Sequence, residues 1–193
     1  ERYIRALKSK AYGGNGADYK EKVLSVNGTG GSKIYRCWNG GGTVKIVLIN
    51  NEFNKPSAEL VKEVQNVFDP TPNQGKGYGL APIGHTVTVE AAEEVIINYE
   101  IPVVMTAGHE PNEIQEELTK KIEDRLKVRR KEWTTQDENQ FLTVRTSIVT
   151  SLAVDLDKVV DVGDIKINGQ KVKRLDLRPN QIPKLGTVTL TKG

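Results

Sequence analysis

The sequence predicts an α+β protein of two small domains, each a mixed or antiparallel sheet with helices packed on one face. Segments with apolar residues at helical spacing alternate along the chain with segments in which every second residue is apolar. Turns rich in glycine and proline separate these segments. The 193 residues are 37% hydrophobic, which is enough for a buried core, and no apolar run approaches the roughly 20 residues of a membrane span. We place the domains at residues 1–92 and 93–193.

The first domain is expected to begin with two helices. Residues 1–12 place apolar side chains on one helical face and form a short leading helix. After a pair of glycines, Asn15 can cap a second helix, because an asparagine side chain accepts hydrogen bonds from the first helical amides. Tyr19, Val23 and Leu24 are expected to face inward. The domain then has the order α-β-β-α-β after its leading helix.

A β-hairpin is expected next. The glycine-rich turn at 27–32 leads into a strand at about 33–38, the loop at 39–42 reverses the chain, and a second strand follows at 43–49. The second strand contains the almost continuously apolar string VKIVLI. Such a run is typical of a central strand covered by helices.

A helix is predicted from Ser57 to residue 68, where Asp69 and a following proline end it. The chain then shows no periodicity up to residue 84, which is longer than most loops of compact domains. We expect such a loop either to be functional or to take its structure from another chain. Alternating apolar residues at 85–90 predict the closing strand of the domain.

The second domain is expected to have the order β-α-α-β-β-β. Pro102 marks its long first strand as an edge strand or a bulged one, because proline cannot donate to a β-ladder. Asn168 and Gly169 form the strongest hairpin signal in the chain. The predicted elements are strands at 94–105, 159–167, 170–177 and 187–190 and helices at 111–133 and 144–152.

The residue inventory gives no support for catalysis or for a cofactor or metal site. His85 and His109 stand without ligand partners at metal-binding spacing, and are interpreted as surface or loop histidines. Cys37 is the single cysteine, which excludes an intramolecular disulfide and fits a reducing cytoplasm, and we expect it to pack as a small hydrophobic residue. We therefore predict a non-enzyme with no small-molecule substrate.

Two further patterns bear on nucleic acid. The glycines at 28–33 and 75–79 lack the spacing of a phosphate-binding loop and are interpreted as turn glycines. The basic run at 125–131 is interpreted as a solvated helix end, with a nucleic-acid-binding module as the alternative function. The net charge of +3 by itself identifies no partner.

Four strings, taken in order, resemble the baseplate J-like family of contractile phage tails and related particles. The first is the helix start at 15–19, in which an asparagine is followed by alanine, aspartate and tyrosine. WNGGGTVKIVLI at 38–49, GLAPIGHTVTV at 79–89 and NQIPKLGTVTL at 180–190 follow. Family members are longer at the N-terminus, so the chain resembles their central and C-terminal part. It also begins at Glu1 without a methionine, which suggests a processed or truncated chain.

The resemblance implies a structural wedge component of a baseplate in a phage, defective prophage or bacteriocin. It implies assembly in the bacterial host cytoplasm, location in the tail baseplate, and partners that are other wedge proteins and copies of the same chain. Nucleic acid and membranes are not among the expected partners, and no catalytic residue carries over from the family. Assembly contacts are hypothesised in the segments at 75–82 and 187–190. The alternative is that these two segments only close their own domains. The hypothesised assembly contacts are Gly75, Gly77, Tyr78, Gly79, Leu80, Pro82, Thr187 and Thr189.

Overall fold

The computed structural model describes residues 13–193, so the helix predicted at 1–12 lies outside the described residues. The contacts divide the chain into two compact units. The first contains the described residues up to Glu93 together with Thr134–Gln140, and the second contains Glu94–Trp133 and Phe141–Gly193. Helices and mixed or antiparallel sheets confirm the α+β class. The domain bounds 1–92 and 93–193 stay a prediction.

The first unit has a three-stranded sheet in the order β1-β2-β3. β1 is antiparallel to β2, and β2 is parallel to β3, so the apolar strand β2 is central as predicted. Both helices begin at the predicted caps, where Asn15 accepts from the Asp18 amide at 2.8 Å and Ser57 from the Leu60 amide at 3.2 Å. The elements are α1 (Gly16–Leu24), β1 (Thr29–Arg36), β2 (Thr43–Asn50), α2 (Ala58–Phe68) and β3 (Thr86–Ala91).

Two details of the first unit differ from the prediction. β1 begins at Thr29 rather than at residue 33, with Gly30 inside the strand. A Cβ at Gly30 would stand 2.1 Å from the Asn50 carbonyl oxygen, so this glycine allows two backbones to approach closely instead of forming a turn. Leu24 is 58% exposed, because it is the last residue of α1 and lies off the stripe that its buried neighbours form.

The core of the first unit lies between its two helices and one face of the sheet. Alternate residues of β2 and β3 point into it, as the period-two pattern predicts. The largest fully buried side chains there include Tyr19 and Phe68, whose rings stack with centroids 5.6 Å apart. The buried members of this core are Tyr19, Val23, Val26, Ile34, Val44, Ile46, Leu48, Val64, Phe68, Ala81, Val87 and Val89.

The second unit is organised around its first and longest strand, β4, which pairs with three other strands. A single 3-10 turn at Pro111–Ile114 leads into the long helix α3, whose predicted apolar stripe is buried. A separate two-stranded sheet joins β5 to β8. The elements are β4 (Glu93–Met105), α3 (Gln115–Thr135), β5 (Thr143–Arg145), α4 (Thr146–Val154), β6 (Val159–Val162), β7 (Lys166–Ile167), β8 (Arg174–Asp176) and β9 (Gln181–Lys192).

Pro102 does not mark an edge strand, and that part of the prediction is wrong. β4 pairs with β6 through residues 103–105 and with β7 through residues 99 and 100. Pro102 lies between these two sets of pairs, where its carbonyl accepts a hydrogen bond from the Gly163 amide at 2.8 Å. A missing N–H is tolerated at this point because one strand partner ends there and the next has not yet begun.

The hairpin signal predicted the turn correctly and its second strand wrongly. Asn168 and Gly169 both have positive φ, 50° and 76°, as a tight two-residue turn requires. After the turn only one isolated bridge, between Ile167 and Gln170, continues the pairing. The chain then leaves to form β8, which pairs with β5. The helix predicted from residue 144 is likewise preceded by this short strand, so it begins at Thr146.

Candidate functional site

One buried carboxylate holds the loop that joins α2 to β3. Asp69 is 1% exposed. Its Oδ1 accepts a hydrogen bond from the Gly75 amide and its Oδ2 accepts one from the Val87 amide, both at 2.9 Å. A buried carboxylate is stable only when hydrogen bonds satisfy it, and the two amides do so here. Asp69 therefore ties the start of the loop to the strand that follows it.

Backbone hydrogen bonds fix the rest of this loop. The amides of Leu80 and Ala81 donate to the last carbonyls of α2, those of Val67 and Phe68, at 2.9 Å each. The Gly84 amide donates to the Gly75 carbonyl at 2.9 Å, which closes the loop on itself. Hydrogen bonds within the chain order the loop, so the second of the two predicted alternatives, that it takes its structure from another chain, is not needed.

The glycines of the loop are required by close packing and by backbone conformation. A Cβ at Gly79 would lie 2.4 Å from the Phe68 carbonyl oxygen, which no side chain can approach so closely. Gly75 and Gly77 have φ of 77° and 72°, a region that other residues rarely adopt. The interpretation of residues 75–79 as turn glycines agrees with these angles.

Three large apolar side chains remain exposed on the same loop. Tyr78 is 71% exposed, Ile83 is 82% exposed and Leu80 is 38% exposed. We call these three residues the apolar loop tip. The Leu80 carbonyl accepts a hydrogen bond at 3.0 Å from Lys22, whose ammonium also pairs with Asp18 at 2.8 Å. Several hydrogen bonds thus fix the backbone of a loop whose largest side chains contribute little to the core of the first unit.

His85 and Pro82, at the end of the loop, contact α1 and the residues just before it. The His85 Nδ1 and the Tyr19 hydroxyl are 2.9 Å apart, and their rings stack at 6.0 Å. Burial raises the pKa of Tyr19 far above its ordinary value, and the carboxylates of Asp69 and Asp18 act in the same direction. Tyr19 therefore remains a neutral hydrogen-bonding partner. The Pro82 ring lies so close to Gly14 that a Cβ there would stand 2.5 Å from it.

The remaining two predicted contact residues lie on β9, in the second unit. Thr187 donates from both its amide and its hydroxyl to Asn98 Oδ1, at 2.9 Å and 3.0 Å. Thr187 and Thr189 are exposed, while Val188 and Leu190 between and after them pack on the core. The structure therefore gathers six of the predicted residues on one loop and places two on the outer face of a strand.

The described residues include no cluster of side chains that could hold a metal ion. From residue 13 onward, no three His, Cys, Asp or Glu side chains are placed to hold a metal ion. No helix of this part of the chain is long and apolar enough to cross a membrane. His109 pairs with Glu113 at 2.8 Å. Cys37 is exposed at a φ of 51° in the β1–β2 loop, so the prediction that it packs as a small hydrophobic residue is wrong.

The basic run at 125–131 is only partly solvated, which corrects its interpretation as a solvated helix end. Arg130 is 2% exposed. Its guanidinium pairs with Glu123 at 2.6 Å and donates to the Pro183 carbonyl at 3.0 Å. This arginine is committed to the packing of its own unit and is not available to phosphates.

Sequence reasoning missed the side chains that close the outer edge of β3. The Thr86 amide bonds toward β2, so Val87 faces the other way and its carbonyl accepts from both Gln65 and Gln74 at 3.0 Å. The Gln65 side chain also accepts from the Val89 amide at 2.9 Å. These residues could have been found only from their position beside the edge of β3, and that position is known only once the tertiary structure is known.

The sequence at residues 11–91 matches the family model of the baseplate J-like central domain. The phage-like element PBSX protein XkdT of Bacillus subtilis strain 168 is 34% identical over 190 residues, which cover 98% of this chain and 51% of XkdT. Residues 11–91 are thus assigned to the baseplate J-like central domain. This domain lies within the first unit and contains the loop with the apolar tip.

Two other comparisons give further similarities. The uncharacterized protein YqbT of the same strain is 36% identical over 191 residues, again 98% of this chain and 51% of YqbT. The chain thus spans about half the length of the curated relatives it matches. A chain in the cryo-EM structure of the anti-feeding prophage baseplate, 6-fold symmetrised, is similar with a TM-score of 0.46 at 8% identity, over 74% of this chain and 29% of that one.

Proposed function

We propose that this chain is a structural component of the baseplate of a contractile phage tail, or of a related prophage or bacteriocin particle. It assembles in the wedge around the central hub by contacts with other wedge proteins and with copies of itself. Its site of action is the tail baseplate, and it is made and assembled in the bacterial cytoplasm. The observation that carries the proposal is the apolar loop tip, which lies in the domain that matches the family.

The rigidity of the loop supports a role in binding. Ordering a flexible segment on association costs conformational entropy, and a segment that is already fixed avoids this cost. Asp69 and the carbonyls at the end of α2 fix the loop before any partner arrives. Exposed tyrosine and aliphatic side chains on a fixed backbone are typical anchors of protein interfaces.

The outer face of β9 is the second proposed contact. Thr187 and Thr189 present short, exposed polar side chains there, which a neighbouring chain can cover. No step of the proposed role is enzymatic, and it requires neither a cofactor nor a small-molecule substrate. Both surfaces act by being buried against neighbours.

Electron microscopy of particles from the source bacterium tests the proposal. Immunogold with antibody against this chain is expected to label the distal end of contractile tails. In a strain that carries Ile83→Asp together with Tyr78→Ala, few complete baseplates are expected, because the apolar loop tip is lost. Leu24→Asp is the matched control, since Leu24 is equally apolar, 58% exposed and outside the loop.

Two results would contradict the proposal. Tails that remain unlabelled, although the antibody recognises denatured particles, would exclude a place in the baseplate. Normal numbers of labelled baseplates with the double variant would retain the location and reject the loop tip as a contact. Because both side chains are exposed, the variant should unfold at the wild-type temperature, which separates assembly from stability.

A further inference from the structure

The second unit has a groove with an aliphatic floor and arginines along its rim. Helices α3 and α4 supply the floor, and α3 and β5 supply the rim. No carboxylate is among the groove residues. The floor includes Ile122, Leu126, Ile148 and Leu152, and the rim consists of Arg125, Arg129 and Arg145.

Two of these guanidinium groups lack an acidic partner within residues 13–193. Neither Arg125 nor Arg145 forms an ion pair there, and the Nε of Arg125 is buried without a hydrogen-bond acceptor. Arg129 pairs with Glu132 and donates to the Thr143 carbonyl at 3.5 Å, but its Nε is also buried and unsatisfied. The buried Nε atoms are out of reach of another molecule, so an outside acceptor can meet only the remaining nitrogens of the rim guanidinium groups, of which Arg145 is the most exposed.

Arg145 is also placed against the local preferences of its surroundings. It is the N-cap residue of α4 and makes no capping hydrogen bond. A cation at a helix N-terminus opposes the helix dipole. Across the β5–β8 pair it stands opposite Arg174, and like charges in that position repel. A residue that breaks several local rules at once is expected at a functional site.

The other end of α4 carries the opposite charge. Asp155 is the C-cap residue, where a negative charge again opposes the dipole. Asp157 and Asp161 are exposed beside it, together with Val154 at 44% and Val160 at 59% exposure. We call these five residues the acidic patch. The one lysine within this stretch, at position 158, pairs with Glu113 at 2.7 Å.

We propose that the groove of one copy binds the acidic patch of a second copy. The aspartates would pair with the guanidinium groups of Arg125 and Arg145, and the exposed valines would cover Ile148 and Leu152, the half-buried part of the floor. Groove and patch start from opposite ends of one helix, about 15 Å apart at 1.5 Å per residue. The contact is therefore head-to-tail, and contacts of this kind form a ring when the rotation between copies closes and a filament when it does not. The inference rests on the proposed function, in which copies of the chain surround a hub.

The groove chemistry favours a protein segment over a nucleic acid. Its only aromatic residue is Tyr99, which is 1% exposed and cannot stack on a base. The floor otherwise consists of aliphatic side chains, which match valines better than sugars and phosphates. Arginine beside an aliphatic surface suits a carboxylate that is followed by an apolar side chain.

Reciprocal charge reversal tests the contact. The groove variant combines Arg125→Glu with Arg145→Glu, and the patch variant combines Asp155→Lys with Asp161→Lys. In sedimentation experiments on the 193-residue chain at low ionic strength, the wild type should self-associate. Each variant alone should self-associate at least about tenfold more weakly. Mixed together, the variants should associate again, because the intact patch of the groove variant meets the intact groove of the patch variant and the two reversed surfaces also carry opposite charges.

Matched controls and contrary outcomes make the test decisive. Lys127→Glu, on the exposed face of α3, and Glu63→Lys, on α2, each make one such charge reversal elsewhere and should associate as the wild type does. Association in the mixture also proves that both variants are folded. A wild-type chain that is monomeric at its highest soluble concentration, or variants that associate normally, overturn the inference.

The same variants separate the inference from its rivals. A single-stranded DNA oligonucleotide that binds the wild type and is released by the groove variant would assign the groove to nucleic acid and reject the proposed contact. Gold at the tail end combined with a monomeric chain would reject the contact alone and leave the baseplate function standing. Unlabelled tails would instead reject the proposed function.

Discussion

Replacement of Asp69 by alanine is expected to release the loop between α2 and β3. The substitution removes both carboxylate acceptors and leaves the amides of Gly75 and Val87 without partners. An unsatisfied buried donor costs about 1–3 kcal/mol. Gly75 is half-buried, so water can reach its amide and the lower end of that range applies, whereas Val87 is fully buried and the upper end applies.

The two contributions sum to about 3–4 kcal/mol, a large share of the 5–15 kcal/mol that stabilises a typical domain. Asp69→Asn keeps one acceptor and should lose about 2 kcal/mol. Hydrogen exchange followed by mass spectrometry measures the effect directly. At about 1.4 kcal/mol per factor of ten, protected amides of the first unit should exchange on the order of a hundredfold faster in Asp69→Ala.

The control is Asp164→Ala, which removes an exposed carboxylate that pairs only with Lys171, at 2.6 Å. Exposed ion pairs contribute little, so no measurable change is expected there. Wild-type exchange rates for residues 70–90 in Asp69→Ala would refute the reasoning. They would mean that the backbone bonds to the end of α2 hold the loop without the carboxylate.

Three further changes test other parts of the structure. Gly79→Ala forces a Cβ against the Phe68 carbonyl and should lower the free energy of unfolding, measured in urea, by about 3 kcal/mol. Gly41→Ala, which has open space around it, should be tolerated, and equal effects of the two substitutions would contradict the packing argument. Burial, and secondarily the charge of Lys20, lowers the pKa of Lys33 to about 8 from 10.5. Between these two pH values the unfolded chain binds more protons than the folded one. The free energy of unfolding should therefore rise with pH from about 8 toward 10. The gain is at most about 3 kcal/mol, and Lys33→Met should abolish it; an unchanged slope in unfolding titrations would exclude Lys33 as its cause. Arg130→Ala removes a buried guanidinium that pairs with the partly exposed Glu123 and leaves the Pro183 carbonyl without its donor, so it should lower the melting temperature at a cost of about 1–3 kcal/mol. An unchanged melting temperature would show that the arginine is dispensable.

Most of the elements could be predicted because their signals are local. Helix caps such as Asn15 and Ser57 act within one turn, and the alternation in β3 needs only six residues. The errors arose where distant parts of the chain decide. Gly30 looks like a turn residue until the backbone at Asn50 is known, and β8 pairs with β5 although the Asn168–Gly169 turn points it elsewhere.

The candidate site was predicted in position but not in construction. Glycines and a long irregular loop indicated residues 69–84, and the structure places the exposed Tyr78 and Leu80 there. The residue that organises the loop, Asp69, was interpreted as a helix stop because its partner at Val87 lies 18 positions away. The spacing of residues along the sequence does not indicate which side chain bonds a distant amide. Ile83 was missed because the exposure of a side chain depends on the tertiary structure.

The closed edge of β3 has a consequence for the chain before it meets any neighbour. An open strand edge is a template on which further copies can stack without limit, which is how sheets aggregate. Gln65, Gln74 and Asp69 occupy the donors and acceptors of that edge at Val87 and Val89. Newly made copies can therefore accumulate at high concentration without polymerising through this strand, and growth is left to surfaces that recognise a specific neighbour.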